Sequence, residues 1–301
     1  NLSRRSKYFL SIFLLIKEIL KNRNIVVFAF QANIYCIIVC KLFFIKVIAR
    51  SNSAPTGWSR NILKRLIFKF CLNLADKVMV NSIQFKKDLK KQFNVNATCI
   101  YNPLNYDEIL KNSKKKSKKI FTNKRQLKIL NIGRFTEQKD QMTFLKALNQ
   151  IKGIIKFEAV IVGRGKLHRD LLEYILKNDL SKFVKIINFT ENPFSLLKQT
   201  ELFILSSKYE GLPNVLLEAL TLKKFIISSK CPTGPKEILL NGKGGLLFNV
   251  GNHNQLAKKI LFYKENKKKC LKMLRYAIQN LYRFDYQENL EKYLNLVNQI
   301  R

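Results

Sequence analysis

Two glutamates interrupt an otherwise apolar stretch of this chain, SSKYEGLPNVLLEALTLKKFIIS at residues 206–228. Seven residues separate Glu210 from Glu218, and the first three of them form a Gly-Leu-Pro turn. A buried carboxylate is costly unless a polar partner compensates its charge. The pair therefore predicts a ligand rich in hydroxyl donors, such as a sugar or a ribose, at the start of a helix. The alternative is that both glutamates only favour the N-terminal half of that helix electrostatically.

Basic residues follow an apolar strand in the same half of the chain. The segment NIGRFTEQKD places Gly133 and Arg134 directly after this predicted strand, and Lys139 follows five residues after Arg134. Glycine lets a ligand approach the backbone closely, while Arg and Lys supply charge for phosphate oxygens. Since the chain contains 56 Lys and Arg residues, an ordinary basic surface loop is the alternative for either residue alone.

A third polar loop, SSKCPTGPKEILLNGKGG at residues 228–245, follows another predicted strand. Thr233, Gly234 and Lys236 lie in it, and a simple Pro/Gly turn is the alternative reading. The sequence contains no G-x-G-x-x-G and no G-x-x-x-x-G-K-[ST] motif, so it gives no support for a dinucleotide site or a P-loop.

The elements that must position these loops alternate between short apolar strands and helices, which predicts parallel sheets covered by helices. The predicted strands are 25–30, 45–50, 77–82 and 98–103 in the first half, and 127–133, 157–163, 184–189, 201–207, 223–228 and 244–248 in the second. We therefore predict a first α/β domain over 1–115 and a basic linker over 116–126. A second α/β domain over 127–280 and a C-terminal helix over 281–301, which could return to the first domain, complete the prediction.

The composition narrows the class of protein. The net charge of +36 is compatible with nucleic acid, an anionic membrane surface or a codon bias that favours lysine. The lysines are spread along the whole chain, which argues against a nucleic-acid site with interleaved aromatic residues. The six cysteines form no C-x-x-C pair, so we expect a reduced, cytoplasmic setting without structural disulfides.

Four segments in this order resemble the donor domain of retaining glycosyltransferases of family four. They are GRFTEQKD, IVGRGKLHRDLLEYI, FTENPFSLLKQTELFILSSKYEGLPNVLLEAL and CPTGPKEILLNGKGGLLF, each at a strand end. The resemblance implies the GT-B fold, in which two Rossmann-like doubly wound parallel-sheet domains face a cleft. The first domain of this chain looks incomplete, because no strand with a Gly-rich loop precedes residue 25.

The resemblance also implies roles for individual residues. Arg134 and Lys139 match the basic pair that holds the donor diphosphate, Glu218 matches the residue that binds the ribose, and Glu210 matches the one that faces the transferred sugar. No D-x-D pair exists in the sequence, so we expect neither a metal nor another cofactor. The donor-binding set implied by the resemblance is Gly133, Arg134, Lys139, Asn188, Phe189, Glu210, Gly211, Leu212, Glu218 and Gly234.

Two positions depart from the family pattern. Asn188 stands where relatives commonly have glycine, and Arg164 replaces the acidic residue that is usual between the glycines of the Gly-Arg-Gly loop. On the acceptor side the candidates are Arg50, Asn52 and Ser53 in ARSNSAPTGWSRN, with a structural loop closed by Trp58 as the alternative.

The resemblance further implies a UDP-hexose or UDP-N-acetylhexosamine donor and a glycan or polyprenyl-diphosphate-linked acceptor in cell-surface polysaccharide synthesis, such as capsule or lipopolysaccharide. The segments 4–20 and 60–75 are amphipathic and basic, so a peripheral position on the anionic inner face of the plasma membrane is a further expectation. Core-facing helices would explain the same pattern. A truncated, inactive enzyme and a non-catalytic polyanion-binding protein are the alternatives to a glycosyltransferase.

Overall fold

The computed structural model of the protein describes residues 4–31, 33–51, 61–123 and 125–300. The chain forms two compact units, each built around one parallel β-sheet. Unit 1 comprises Asn1–Pro103 and Gln287–Arg301, and unit 2 comprises Leu104–Tyr286. Two parallel sheets with intervening helices confirm the predicted α/β class.

Unit 1 contains a sheet whose strand order, β1-β2-β3-β4, follows the sequence. Right-handed crossovers in this order place the connecting helices on one face of the sheet. Along β2, Val47 and Ala49 accordingly pack with these helices, while Ile48 packs on the opposite face with Leu296 of the C-terminal helix. The elements are α1 (Arg4–Lys21), β1 (Val26–Ala29), α2 (Asn33–Leu42), β2 (Lys46–Ser51), α3 (Ile62–Leu74), β3 (Lys77–Val80), α4 (Ile83–Phe93), β4 (Ala97–Cys99) and, from the end of the chain, α13 (Tyr286–Asn298).

Unit 2 contains a six-stranded sheet in the order β10-β9-β8-β5-β6-β7. Its central strands are almost continuously apolar and buried, as expected for a parallel sheet covered on both faces. The strands are β5 (Leu127–Ile132), β6 (Phe157–Val162), β7 (Val184–Ile187), β8 (Leu202–Leu205), β9 (Phe225–Ser229) and β10 (Leu246–Phe248). The helices are α5 (Tyr106–Ser113), α6 (Gln141–Ile151), α7 (His168–Lys177), α8 (Phe194–Gln199), α9 (Asn214–Thr221), α10 (Pro235–Ile238), α11 (His253–Glu265) and α12 (Lys267–Gln279).

The strand order of unit 2 reverses between β5 and β8. The chain runs outward from β5 to β7, returns to β8 beside β5, and then runs outward in the other direction to β10. The helices that follow β5 and β8 therefore cover opposite faces of the sheet, and a crevice forms at the carboxyl ends of these strands.

The boundaries of the units differ from the predicted domain boundaries. The first stretch of unit 1 ends at Pro103 instead of residue 115. The reason is that α5 packs against α8 and α9 and therefore belongs to unit 2. The segment 116–126, predicted as a linker between domains, lies within unit 2. It is anchored there by the buried side chains of Ile120 and Phe121, and the Thr122 N–H donates to Glu158 Oε2 at 2.8 Å.

The end of the chain also differs from the prediction. A helix was expected over 281–301, but residues Leu281–Phe284 form a 3-10 turn within unit 2, and α13 begins at Tyr286. Within the described ranges, no helix is both long and apolar enough to cross a bilayer.

Candidate functional site

The loops after β5 and β8 are joined at the point where the strand order reverses. The Lys208 N–H donates to the Gln138 carbonyl at 2.7 Å, and Ser206 Oγ donates to the Lys139 carbonyl at 2.9 Å. Gln138 Nε2 also donates to the Tyr209 carbonyl at 3.0 Å. These bonds hold the predicted basic loop and the predicted acidic loop side by side at the carboxyl edge of the sheet, where ligands of such folds bind.

Lys139 and Glu210 form an ion pair across this junction. Lys139 Nζ lies 2.5 Å from Glu210 Oε1, and Ser207 Oγ donates to the same oxygen at 2.6 Å. Their side chains are 17% and 8% exposed, so water screens the pair only weakly. Among the described residues none bonds to Glu210 Oε2, which leaves that oxygen able to accept from a ligand hydroxyl.

Arg134 stands at the end of β5 with an exposed side chain. Its carbonyl accepts from Gln141 Nε2 at 3.1 Å, which fixes the backbone of the loop. In the described part of the chain its guanidinium has no ion-pair partner. Gly133 lets Lys139 fold back over the loop, because a Cβ at this position would lie 3.3 Å from Lys139 Cγ. Among the described residues, the loop thus contains one cation that is paired with a carboxylate, Lys139, and one that is not, Arg134.

Glu218 lies on α9, the helix that follows the loop carrying Glu210. Its side chain is half-buried and has no hydrogen-bonding or ionic partner within the residues that the structure describes. Burial raises the pKa of its carboxyl from 4.5 to about 7. A carboxylate in such surroundings gains most from a ligand that donates hydroxyl groups to it.

Pro213 precedes α9 as its N-cap residue. Gly211 and Leu212, which link Glu210 to this helix, are both buried. The turn that connects Glu210 to α9 is therefore packed against the rest of unit 2 and is not a solvent-exposed loop.

The loop after β9 braces the loop that carries Glu210. Thr233 Oγ1 donates to the Glu210 carbonyl at 2.6 Å. Gly234 has φ +63°, and a Cβ there would lie 2.1 Å from the Gly211 carbonyl oxygen. Only glycine adopts this backbone conformation at so close an approach without strain. The Pro/Gly turn weighed as an alternative is thus present, and it supports the candidate site directly.

The Gly-Arg-Gly loop after β6 packs against the basic loop. A Cβ at Gly163 would lie 2.0 Å from the Gly133 carbonyl oxygen, and one at Gly165 would lie 2.5 Å from that of Phe135. Both glycines therefore permit close packing between the loops. Arg164 lies over the ring of Phe189, 4.7 Å from its centroid, which links this loop to the end of β7. Phe189 and its neighbour Asn188 are exposed there.

The acceptor-side candidates lie in unit 1. Arg50 donates to Asn102 Oδ1 at 2.6 Å and lies over the rings of Phe30 and Tyr293, at 5.0 and 5.6 Å from their centroids. Burial lowers the pKa of its guanidinium. The positions 52 and 53, where the sequence places Asn52 and Ser53, lie outside the described residues, so their acceptor role stays a prediction.

The sequence reading missed Gln138 and Gln141, which fix the basic loop. Gln141 is buried at the first position of α6, directly after the Asp140 cap. A polar residue at the first turn of a helix that follows a Gly-Arg loop is the available signal, but it is weak. Within the described ranges, no group of three or more His, Cys, Asp or Glu side chains could hold a metal ion.

The model of the family described as glycosyl transferases group 1 matches residues 112–280, more than half of the chain. An uncharacterized glycosyltransferase of Methanocaldococcus jannaschii is 34% identical over 180 residues, covering 58% of this chain and 44% of the relative. The N-acetylgalactosamine-N,N'-diacetylbacillosaminyl-diphospho-undecaprenol 4-alpha-N-acetylgalactosaminyltransferase of Campylobacter jejuni is 27% identical over 217 residues, covering 70% of this chain and 58% of that enzyme. The chain thus spans about half the length of these two relatives.

Solved structures share the fold. HepE of Anabaena in complex with UDP superposes with a TM-score of 0.79 at 17% identity, covering 96% of this chain and 82% of HepE. The sucrose-phosphate synthase of Thermosynechococcus elongatus gives a TM-score of 0.80 at 16% identity, covering 100% of this chain and 80% of the synthase. The predicted resemblance and the GT-B fold class are confirmed by these matches.

Proposed function

Because the chain belongs to the group 1 glycosyl transferases, we propose that it transfers a hexose or N-acetylhexosamine from a nucleotide sugar to a glycan or lipid-linked glycan. The transfer proceeds with retention at the sugar carbon, and the donor is a UDP-sugar. The family match and the solved neighbour with bound UDP support this donor class.

The Lys139–Glu210 pair at the strand-order reversal carries the proposal. In the proposed complex, Arg134 and Lys139 bind the donor diphosphate and offset the charge that develops as it departs. Glu210, whose Oε2 is available, accepts from a hydroxyl of the transferred sugar. Glu218 accepts from the ribose. Lys139 is shared, since it neutralises Glu210 before the donor arrives and the diphosphate afterwards.

The proposed acceptor is a glycan carried on a polyprenyl diphosphate, as used in cell-surface polysaccharide synthesis. The printed name of the Campylobacter relative specifies a diphospho-undecaprenol-linked acceptor, which supports this choice by similarity. Such an acceptor would bring the protein to the cytoplasmic face of a membrane. Arg50, Asn52 and Ser53 remain the proposed acceptor contacts.

Binding of UDP and of a panel of UDP-hexoses and UDP-N-acetylhexosamines, followed by thermal shift, tests the donor site, since a ligand stabilises only the fold that binds it. We expect UDP to raise the melting temperature of the wild-type chain and not that of Arg134→Ala. Transfer to a synthetic polyprenyl-diphosphate glycan, with and without EDTA, then tests the reaction and its proposed independence of metal. Binding without transfer would favour the inactive alternative, and no binding of any sugar nucleotide would overturn the proposed function.

A further inference from the structure

A cavity of about 760 Å³ lies beside β4, the last strand in the order of the unit 1 sheet. Pockets that bind small ligands commonly have volumes of ~300–1,000 Å³. Residues of α4, of α13, and of β4 and its continuation line the cavity. All of them belong to unit 1, so the cavity is separate from the candidate donor site in unit 2.

Four of the lining residues are not basic. They are Ile83, Cys99, Tyr101 and Asn289. The Tyr101 ring offers a flat apolar surface with a hydroxyl group at its edge, and Asn289, which is 1% exposed, adds an amide. An apolar surface with a few polar groups is typical of a ligand site.

The other five lining residues are lysines, namely Lys86, Lys87, Lys90 and Lys91 of α4 and Lys292 of α13. All five are exposed, and none of the four on α4 has an ion-pair partner among the described residues. Lys292 Nζ lies 3.9 Å from Glu288, but both side chains are more than half exposed, so this pair is weak. None of the described residues that line the cavity is acidic, and the cavity therefore attracts anions.

The lysines of α4 are spread along the helix instead of occupying one turn. Lys86 and Lys90 lie about one turn apart, and so do Lys87 and Lys91. At a rise of ~1.5 Å per residue, the first and the last of them are separated by ~7.5 Å along the helix axis. This arrangement matches a ligand with several separated anionic groups better than a ligand with a single phosphate or diphosphate.

We propose that this cavity binds an anionic oligosaccharide, with a carboxylate or sulfate group on successive sugar units. The lysines pair with the anionic groups, while the Tyr101 ring and the lysine stems contact the apolar C–H faces of the sugar rings. The choice of a sugar rests on the proposed function, in which the chain acts on a glycan. The inference deepens that function, because it adds a glycan-binding site in unit 1 and specifies the charge of the glycan.

Isothermal titration calorimetry of the purified 301-residue chain at low salt tests the proposal, with excess UDP present to occupy the candidate donor site. The probes are tetragalacturonate, sulfated maltotetraose, uncharged maltotetraose and inorganic tripolyphosphate. We expect the two anionic tetrasaccharides to bind at least ~10-fold more tightly than uncharged maltotetraose, and to bind less tightly as salt rises. Stabilisation by UDP is a separate readout, so a failure of this inference is distinguishable from a failure of the proposed function.

Two pairs of substitutions locate the site. Lys86→Glu with Lys90→Glu should weaken the binding of tetragalacturonate at least ~10-fold, because two attractive charges become repulsive. Lys268→Glu with Lys272→Glu on α12 is the matched control, since both are exposed lysines about one turn apart without an ion-pair partner in the described part of the chain. This control changes the net charge equally and should bind like the wild type.

Tyr101 distinguishes a sugar site from a general anion site. Tyr101→Leu should weaken the binding of tetragalacturonate about fivefold through the loss of ring surface, whereas Tyr101→Phe should bind it like the wild type. The affinity for tripolyphosphate should be the same in all three proteins.

Circular dichroism and melting temperature establish that each variant is folded. An equal loss of affinity in the α4 and α12 charge variants would show that only the net charge attracts anions, and it would overturn the proposal. So would the absence of binding by both anionic tetrasaccharides. Unchanged tetragalacturonate binding by folded Tyr101→Leu would likewise contradict a sugar site and assign the cavity to simple anions.

Discussion

Each unit contains a lysine–carboxylate pair beside its sheet, and the two pairs lie at opposite ends of the strands. In unit 2, Lys139 and Glu210 meet at the carboxyl ends of β5 and β8. In unit 1, Lys41 Nζ lies 2.6 Å from Asp76 Oδ2 at the amino ends of β2 and β3, where the Val47 N–H also donates to Asp76 at 2.7 Å. A lysine–carboxylate ion pair therefore occurs at the carboxyl ends of the strands in unit 2 and at the amino ends in unit 1.

The strand order explains the difference. The sheet of unit 1 follows the sequence, so it has no point among its described strands at which the order reverses. Its ion pair connects Lys41 at the end of α2 to Asp76 beside the strands, and the Val47 N–H also donates to the Asp76 carboxylate. The strand order of unit 2 reverses between β5 and β8, and its ion pair lies beside the resulting crevice. Arg134 and Glu218, which lie nearby in sequence, have no ionic partner among the described residues. The proposed donor site is therefore supported by the position of its ion pair at the strand-order reversal, and not by the presence of an ion pair alone.

The largest difference between the pairs should appear in stability. Lys139→Met leaves Glu210 buried without its cation, so we expect the free energy of unfolding to fall by about 3 kcal/mol. Lys41→Met should cost only about 1 kcal/mol, because Lys41 is 30% exposed and Asp76 keeps the Val47 N–H. Urea denaturation of both variants measures the two values.

Arg134→Met is the matched control within unit 2. Arg134 is exposed and unpaired among the described residues, so its replacement should change the free energy of unfolding by no more than about 0.5 kcal/mol. An equal loss in the free energy of unfolding for Lys139→Met and Lys41→Met would contradict the prediction that the more deeply buried Lys139–Glu210 pair contributes more to stability.

The acids of the two units should respond to pH in opposite directions. Burial raises the pKa of Glu218 to about 7, so between pH 4.5 and 7 the folded state holds a proton that the unfolded state has lost. The free energy of unfolding should therefore decrease as pH rises through this window. For Asp76, burial alone would raise the pKa, but the bonds from Lys41 and Val47 prevail and lower it below 3.8. Its contribution is present above pH 3.8 and is lost on acidification.

Glu218→Gln and Asp76→Asn separate these contributions. Glu218→Gln should reduce the decrease in the free energy of unfolding between pH 4.5 and 7. Asp76→Asn should lower the free energy of unfolding at neutral pH. A Glu218→Gln variant with the same pH profile as the wild type would show that Glu218 is ionised in the folded protein throughout.

In activity, the contrast between paired and unpaired cations should be visible at Arg134. Arg134→Ala should lower turnover at least ~10²-fold, in line with the loss of one group that stabilises developing charge. Arg169→Ala on α7, an exposed arginine paired with Glu173, is the matched control and should retain activity. Steady-state transfer from the UDP-sugar identified by thermal shift is the measurement, and full activity of Arg134→Ala would remove this residue from the proposed mechanism.

Much of the fold could be predicted from the sequence because both sheets are parallel and their strands are short apolar runs. The ten predicted strands all occur, with ends displaced by a few residues. The linker prediction over 116–126 was wrong for a specific reason. Ile120 and Phe121 are isolated among lysines, so the segment looks solvated, yet two buried side chains are enough to fix it on unit 2.

The candidate site was harder to predict in detail. The residue types at strand ends predicted polar loops at one edge of the sheet, but the Lys139–Glu210 contact joins residues 71 positions apart. Only the strand order brings β5 next to β8, and the sequence does not state that order. The brace from Thr233 to the Glu210 carbonyl is equally non-local.

Gly234 follows Thr233 in the same bracing loop and provides the last prediction. Gly234→Ala would force a side chain to within 2.1 Å of the Gly211 carbonyl oxygen at a positive φ, so the loop after β8 must shift. We expect a loss of more than about 1 kcal/mol in the free energy of unfolding, together with weaker UDP binding. Gly153→Ala is the matched control, because a Cβ there meets no atom within 4 Å. If Gly234 served only as a donor contact, the variant would lose UDP affinity while its urea midpoint stayed at the wild-type value. A lowered midpoint accompanied by weaker binding would instead show that the loop must be braced before it can hold Glu210 in place.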